Sequence, residues 1–217
     1  KNWFNRGFLI IRPIDWATPA HILEKIIEYE AVHEINSWDE LRRRLAPNDR
    51  KCYGFFHPAM EDEPLIFIEV ALMNTIPEKI SEVLKNEREF VDIENVSVAV
   101  FYSISNCQIC LSGISFGNFL IKQVANDLKF EFPSLKSFVT LSPVPGFTNW
   151  LKKFDEQFYK KITKNINVKS ITNNQKQIMG NSLKYFFRSN RKDNLPNDPV
   201  SRFHIGNGAV LEKINFM

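Results

Sequence analysis

Two side chains 62 positions apart stand where an uncommitted hydroxyl and an uncommitted imidazole could do chemistry together. Ser142 follows the apolar run 137–141 and precedes Pro143-Val144-Pro145-Gly146. A Ser-Pro step cannot continue a strand, so Ser142 is predicted to emerge at a strand's carboxyl end, the edge at which open α/β sheets carry their chemistry. His204 lies in Phe203-His204-Ile205-Gly206-Asn207-Gly208-Ala209-Val210, between apolar neighbours and a glycine-flanked Asn. A hydroxyl paired with an imidazole is a proton-exchange couple, because an imidazole titrates near working pH. Taken singly, a Ser before Pro also fits a turn hydroxyl, and a His beside Phe and Ile also fits a core residue. Asn207 has two readings as well, orienting His204 or forming a turn before Gly208. His21, His33 and His57 have no comparable surroundings and read as surface or packing residues.

The segment Ser112-Gly113-Ile114-Ser115-Phe116-Gly117-Asn118 suits a different task. It runs from a predicted buried strand to a predicted helix. Glycines there let backbone N–H groups approach an oxygen-rich ligand, and a helix amino end adds partial positive charge, which together suit a diphosphate. The glycine spacing matches neither the dinucleotide fingerprint nor a P-loop, so a tight turn that merely needs glycine explains it equally well. Cys107-Gln108-Ile109-Cys110 is a lone CxxC without a second Cys or His pair at metal-ligand spacing, and no role is assigned to it.

The elements that must position these residues follow from periodicity. Residues 96–103 form a near-continuous apolar strand, 117–130 repeat apolar residues through Phe119, Leu120, Val124 and Leu128, and 137–141 are again strand-like. That is a strand, helix, strand unit with a parallel, right-handed crossover. Upstream, residues 8–12 read as a short strand and Thr18-Pro19 as a helix opening, with Thr18 as cap. Ser37-Trp38-Asp39-Glu40 is a capping box before a short surface helix bearing Arg42, Arg43 and Arg44, which read as solvated and as reserve contacts for a ligand phosphate. Residues 51–57 and 64–73 read as a hairpin turning at Glu61-Asp62-Glu63-Pro64, and Thr75-Ile76-Pro77-Glu78 as a further capping box. An Asn/Lys-rich segment over about 152–197 suggests two loosely amphipathic helices joined by a mobile connector at 165–176, after which strands resume around His204.

With 217 residues, 44% of them hydrophobic, the chain is predicted to form a single domain, 1–217, with a core that needs no disulfide or metal. A net charge of +3, from 28 basic and 25 acidic residues, gives no support for nucleic acid as a partner. Three cysteines, Cys52, Cys107 and Cys110, are an odd number and favour a reducing compartment. The apolar runs fall short of the about 20 residues that span a bilayer, so no membrane association is expected. The chain starts without Met and stops just after the strand-like run 209–214, and both ends read as cut.

The ordered blocks Val100-Phe101-Tyr102-Ser103-Ile104-Ser105, Gly113–Gly117 with Phe119-Leu120-Ile121-Lys122, Glu131-Phe132-Pro133, Leu141-Ser142-Pro143-Val144-Pro145-Gly146-Phe147 and Phe203-His204-Ile205-Gly206-Asn207-Gly208-Ala209 resemble the catalytic domain of malonyl-CoA decarboxylases. Arg12-Pro13, Trp16 and Glu30-Ala31-Val32-His33 match the earlier part of that domain, so the likeness runs through nearly the whole chain.

The resemblance implies an α/β (α+β) fold of the GNAT acyl-CoA-binding type, a mixed twisted sheet flanked by helices and splayed to admit the pantetheine arm. It also implies that residues 112–118 bind the CoA diphosphate, that Ser142 and His204 are catalytic, and that malonyl-CoA goes to acetyl-CoA and carbon dioxide. No metal or redox cofactor is expected, CoA being part of the substrate, and a homo-oligomer is implied. The implied location is cytoplasmic, or the mitochondrial matrix or peroxisome in a eukaryote. By the same resemblance the family's domain continues past Met217 with a tyrosine-bearing strand and follows a helical, oligomer-forming region, while the connector from Trp150 to His204 is shorter than the corresponding insert. Acyl transfer from CoA to an amine, and a catalytically impaired CoA-binding module, are the alternatives.

Overall fold

Two apolar runs, 65–72 and 98–103, are buried without alternation, as expected of strands covered on both faces. In the computed structural model, which describes residues 8–88, 91–108, 117–164, 168–188 and 195–216, they lie inside a five-stranded sheet. The strands are β1 (Ile10–Ile14), β2 (Arg50–His57), β3 (Met60–Met73), β4 (Val98–Asn106) and β5 (Ser137–Thr140), hydrogen-bonded in that order. The first three pairings are antiparallel and β4–β5 is parallel, so the sheet is mixed. Pro13 sits in β1, an edge strand, where its missing N–H costs no ladder bond on the open side.

Lys1–Leu141 and Ser142–Met217 form two compact units. In the first, residues 66, 68, 70 and 72 of β3 face helix α4 (Gly117–Glu131), whose Leu120, Val124 and Leu128 recur at every fourth position to bury one stripe. Helices α1 (Ala20–Tyr29) and α2 (Trp38–Leu45) build a second cluster with Cys52, Phe56 and Phe67. A third combines Val83 of α3 (Ile80–Leu84) with Ala71, Val98, Val100 and Tyr102.

The strand–helix–strand crossover agrees with the expectation closely: α4 begins at Gly117 and β5 at Ser137. Other boundaries differ. The β2–β3 hairpin turns between His57 and Met60, and Glu61–Pro64 belong to β3 across register shifts, so the acidic-proline cluster marks an irregular strand start rather than the turn. Helix α3 starts at Ile80, where the Glu82 carboxylate accepts the N–H groups of Glu78 and Lys79, and its cap position is Lys79, four residues after the predicted Thr75 cap. Thr18 does not cap α1; its hydroxyl accepts from Asp15 N at 3.0 Å, and Pro19 occupies the cap position. Ser37 does cap α2, accepting from Glu40 N at 3.2 Å.

The second unit is helical: α5 (Phe147–Phe154), α6 (Glu156–Thr163), α7 (Val168–Asn173), α8 (Gln175–Phe187) and α9 (Pro199–Gly206). Leu151, Phe158, Tyr185 and Phe186 are its buried apolar residues, and Trp150 stacks on Phe154 at 4.4 Å between ring centres. Part of the predicted connector, 168–173, is the helix α7. Among the described residues, no helix is long and apolar enough to cross a membrane.

Candidate active site

Ser142 is the second residue past β5, and residues 143–146, with prolines at 143 and 145, lead to α5, which begins at Phe147. The Ser142 side chain is exposed, in keeping with a strand end that stops at a Ser-Pro step.

His204 is carried by a helix, not by the strand expected from its aromatic and branched neighbours. Asp198 caps that helix through Oδ1, which accepts from Val200 N at 3.0 Å and Ser201 N at 2.9 Å, and Pro199 takes the first turn, where a missing N–H is harmless. The other end closes at Asn207-Gly208: Gly208 adopts φ +92°, Ala209 N donates to His204 O, and the Asn207 amide donates to Phe203 O at 2.6 Å. Asn207 therefore works as a turn residue, the second of its two readings, with its amide committed to the helix backbone. Residues 209–216 form no strand.

The two predicted catalytic side chains come together, with Ser142 Oγ 3.5 Å from His204 Nε2. That is a long contact, at the outer edge of hydrogen-bond distance. Burial holds the His204 imidazolium disfavoured, lowering its pKa from the ordinary 6.5. The ring is therefore neutral near pH 7, with one nitrogen able to donate and the other to accept. Phe203 sets its ring edge-on to the imidazole at 5.0 Å.

One residue that the sequence reading did not single out lies between the two arms. Asp198 is 0% exposed, and its Oδ2 accepts from the Tyr185 hydroxyl at 3.3 Å and from Gly146 N at 3.4 Å. Burial and the Asp198 carboxylate push the Tyr185 phenol up to about 12, so it stays a donor. Gly146 is required by this approach, because a Cβ there would overlap the Tyr185 hydroxyl oxygen. The Asp198-Pro199 dipeptide was a usable signal for a helix start.

Of the predicted diphosphate loop, Ser112, Gly113, Ile114, Ser115 and Phe116 lie outside the described residues, while Gly117 and Asn118 open α4. The reserve phosphate contact at Arg44 is overturned: its guanidinium is buried and bonds His33 O, Glu34 O, Glu40 and Glu69. Cys107 is buried, and desolvation, with Glu30 nearby, pushes its thiol up to about 12.

A family profile described as malonyl-CoA decarboxylase C-terminal domain matches residues 7–217. The chain belongs to this family. Similar proteins named mitochondrial malonyl-CoA decarboxylase come from Anser anser anser, 34% identical over 251 residues, and Mus musculus, 34% identical over 254. Each aligns with 100% of this chain, which spans 50% and 51% of their respective lengths. Crystal structures of malonyl-CoA decarboxylases superpose well. That from Rhodopseudomonas palustris shares 49% identity at a TM-score of 0.86, covering 95% of this chain and 54% of its own. The one from Agrobacterium vitis shares 50% at 0.81, covering 95% and 55%.

Proposed function

We propose that this protein decarboxylates malonyl-CoA to acetyl-CoA and carbon dioxide, with Ser142 and His204 as its catalytic residues. Membership of the family supports the reaction, and the 3.5 Å approach of Ser142 Oγ to His204 Nε2 is the observation that carries the residue assignment. Loss of carbon dioxide leaves the bonding pair on the thioester enolate, so one proton must be consumed for each product molecule. Ser142 contacts the departing carboxylate and takes part in the proton exchange. His204 donates one ring N–H to the enolate carbon or oxygen while its other nitrogen takes up a proton relayed from solvent, so the ring stays neutral. Removing the carboxylate from water and giving the enolate oxygen fixed hydrogen-bond donors lower the barrier. The backbone of residues 112–118 holds the CoA diphosphate in this scheme. A reducing aqueous compartment, the cytoplasm or a mitochondrial matrix, suits the free thiols of Cys52 and Cys107.

The test is carbon dioxide release from malonyl-CoA with no acyl acceptor present. Release that disappears in Ser142→Ala and in His204→Asn, with CoA affinity retained, is the expected result, because groups acting in the transition state change turnover more than binding. Thiol release only when an amine is added points to acyl transfer instead. CoA binding without turnover points to a binding module.

A further inference from the structure

We propose that Asp198 is a positioning residue whose single buried carboxylate sets the distance between Ser142 and His204, by fastening the start of the His204 helix with one oxygen and the Ser142 turn with the other. The proposal rests on the reading that Ser142 and His204 perform the chemistry. Oδ1 takes the two free N–H groups at the amino end of α9, those of Val200 and Ser201, four and three residues before His204. Oδ2 takes Gly146 N, four residues after Ser142, and the Tyr185 hydroxyl. Gly146 and Asp198 are 52 positions apart in the chain, so no local rule holds the two arms together. Arg202 reinforces the same corner by donating to Asn197 O at 3.0 Å and Pro196 O at 3.3 Å. Helix capping alone explains only half of these bonds. A carboxylate supplies acceptors on both sides, whereas an amide supplies an acceptor on one side only.

Asp198→Asn separates the two roles. Its carbonyl oxygen can still cap α9, but its NH2 group then faces Gly146 N, donor against donor, and releases the Ser142 turn. The variant is expected to keep its helical ellipticity and its KM for malonyl-CoA while kcat falls about 10- to 100-fold, the loss that an ångström of misplacement produces. Tyr185→Phe, which leaves the Asp198–Gly146 bond in place, is expected to lower kcat by a smaller factor. The imidazole of His204 provides a readout independent of turnover. Followed by NMR, its titration should move back toward 6.5 in Asp198→Asn as the ring gains water. Loss of a nearby negative charge alone would move it the other way.

An Asp198→Asn protein that folds with kcat within two-fold of the parent and an unmoved His204 titration overturns the proposal. So does one that melts while Tyr185→Phe is fully active, since Asp198 is then a cap only. A parent protein that releases no carbon dioxide removes the catalytic reading and leaves the titration to decide the positioning one.

Discussion

Arg44 Nη1 lies 3.3 Å from the Glu69 carboxylate, and both side chains are buried against the sheet of the first unit. Glu69 sits on β3 opposite Ser103, beside a register shift that leaves Tyr102 as an extra residue on β4. Ser103 Oγ in turn donates to the Glu30 carboxylate, which also accepts from Val32 N and His33 N. Two buried polar pairs, Glu30 with Ser103 and Glu69 with Arg44, thus meet at neighbouring positions of β3 and β4. Above about pH 8, where Glu69 is ionised, Arg44→Ala should destabilise this unit by about 3–5 kcal/mol, because removing one member of a buried pair leaves the other uncompensated. Chemical denaturation checks it, and a change below 1 kcal/mol would mean that the pair is effectively solvated.

The same carboxyl makes stability depend on pH. Full burial, with Glu30 adding repulsion, raises Glu69 from 4.5 to about 8 against the opposing pull of Arg44. A group whose folded pKa is raised holds its proton longer in the folded state, so its contribution is complete below 4.5 and is lost as pH climbs to about 8. Unfolding free energy of the first unit should decline over that window, and Glu69→Gln should flatten the decline. A slope unchanged in the variant contradicts the assignment.

His204 predicts the opposite sign in the second unit. Its lowered pKa makes the folded state resist protonation, so stability is complete above 6.5 and falls as pH drops below it. A melting series between pH 7 and 5 with and without His204→Asn measures this. Parallel curves would show that the ring is as solvated folded as unfolded.

Gly146→Ala should lower the melting temperature of the second unit, since its Cβ would meet the Tyr185 hydroxyl. Overpacking of this kind costs about 1–3 kcal/mol. Because the overlap is with the hydroxyl oxygen, Tyr185→Phe in the same chain should recover part of the loss. Additive losses in the double variant would place the strain elsewhere.

Gly113→Val and Gly117→Val should weaken CoA binding by crowding the diphosphate against the backbone, with binding followed by calorimetry. Equal affinity in both variants would reduce the loop to a turn that needs glycine.

How much was legible follows from how local each signal is. The β4–α4–β5 crossover could be read directly, because uninterrupted burial and a repeat of Leu120, Val124 and Leu128 are properties of neighbouring residues. So could the Ser37 cap and the end of β5 at a Ser-Pro step. Helix α9 reads as strand in sequence because Phe203, His204 and Ile205 favour extended backbone by type, and the deciding signals, Asp198-Pro199 before them and Asn207-Gly208 after, lie outside that triplet. Arg44 looked like one of three solvated arginines, since nothing in 42–44 says which of them faces inward.

Residue order alone determined the family, and it singled out one hydroxyl and one imidazole, Ser142 and His204, as candidates for chemistry. Only the tertiary structure decided that they meet at 3.5 Å, and that Asp198 joins Gly146 to the start of α9. The physical reason is that a hydrogen bond depends on distance in space, and a separation of 62 residues leaves that distance to the packing of every helix in between.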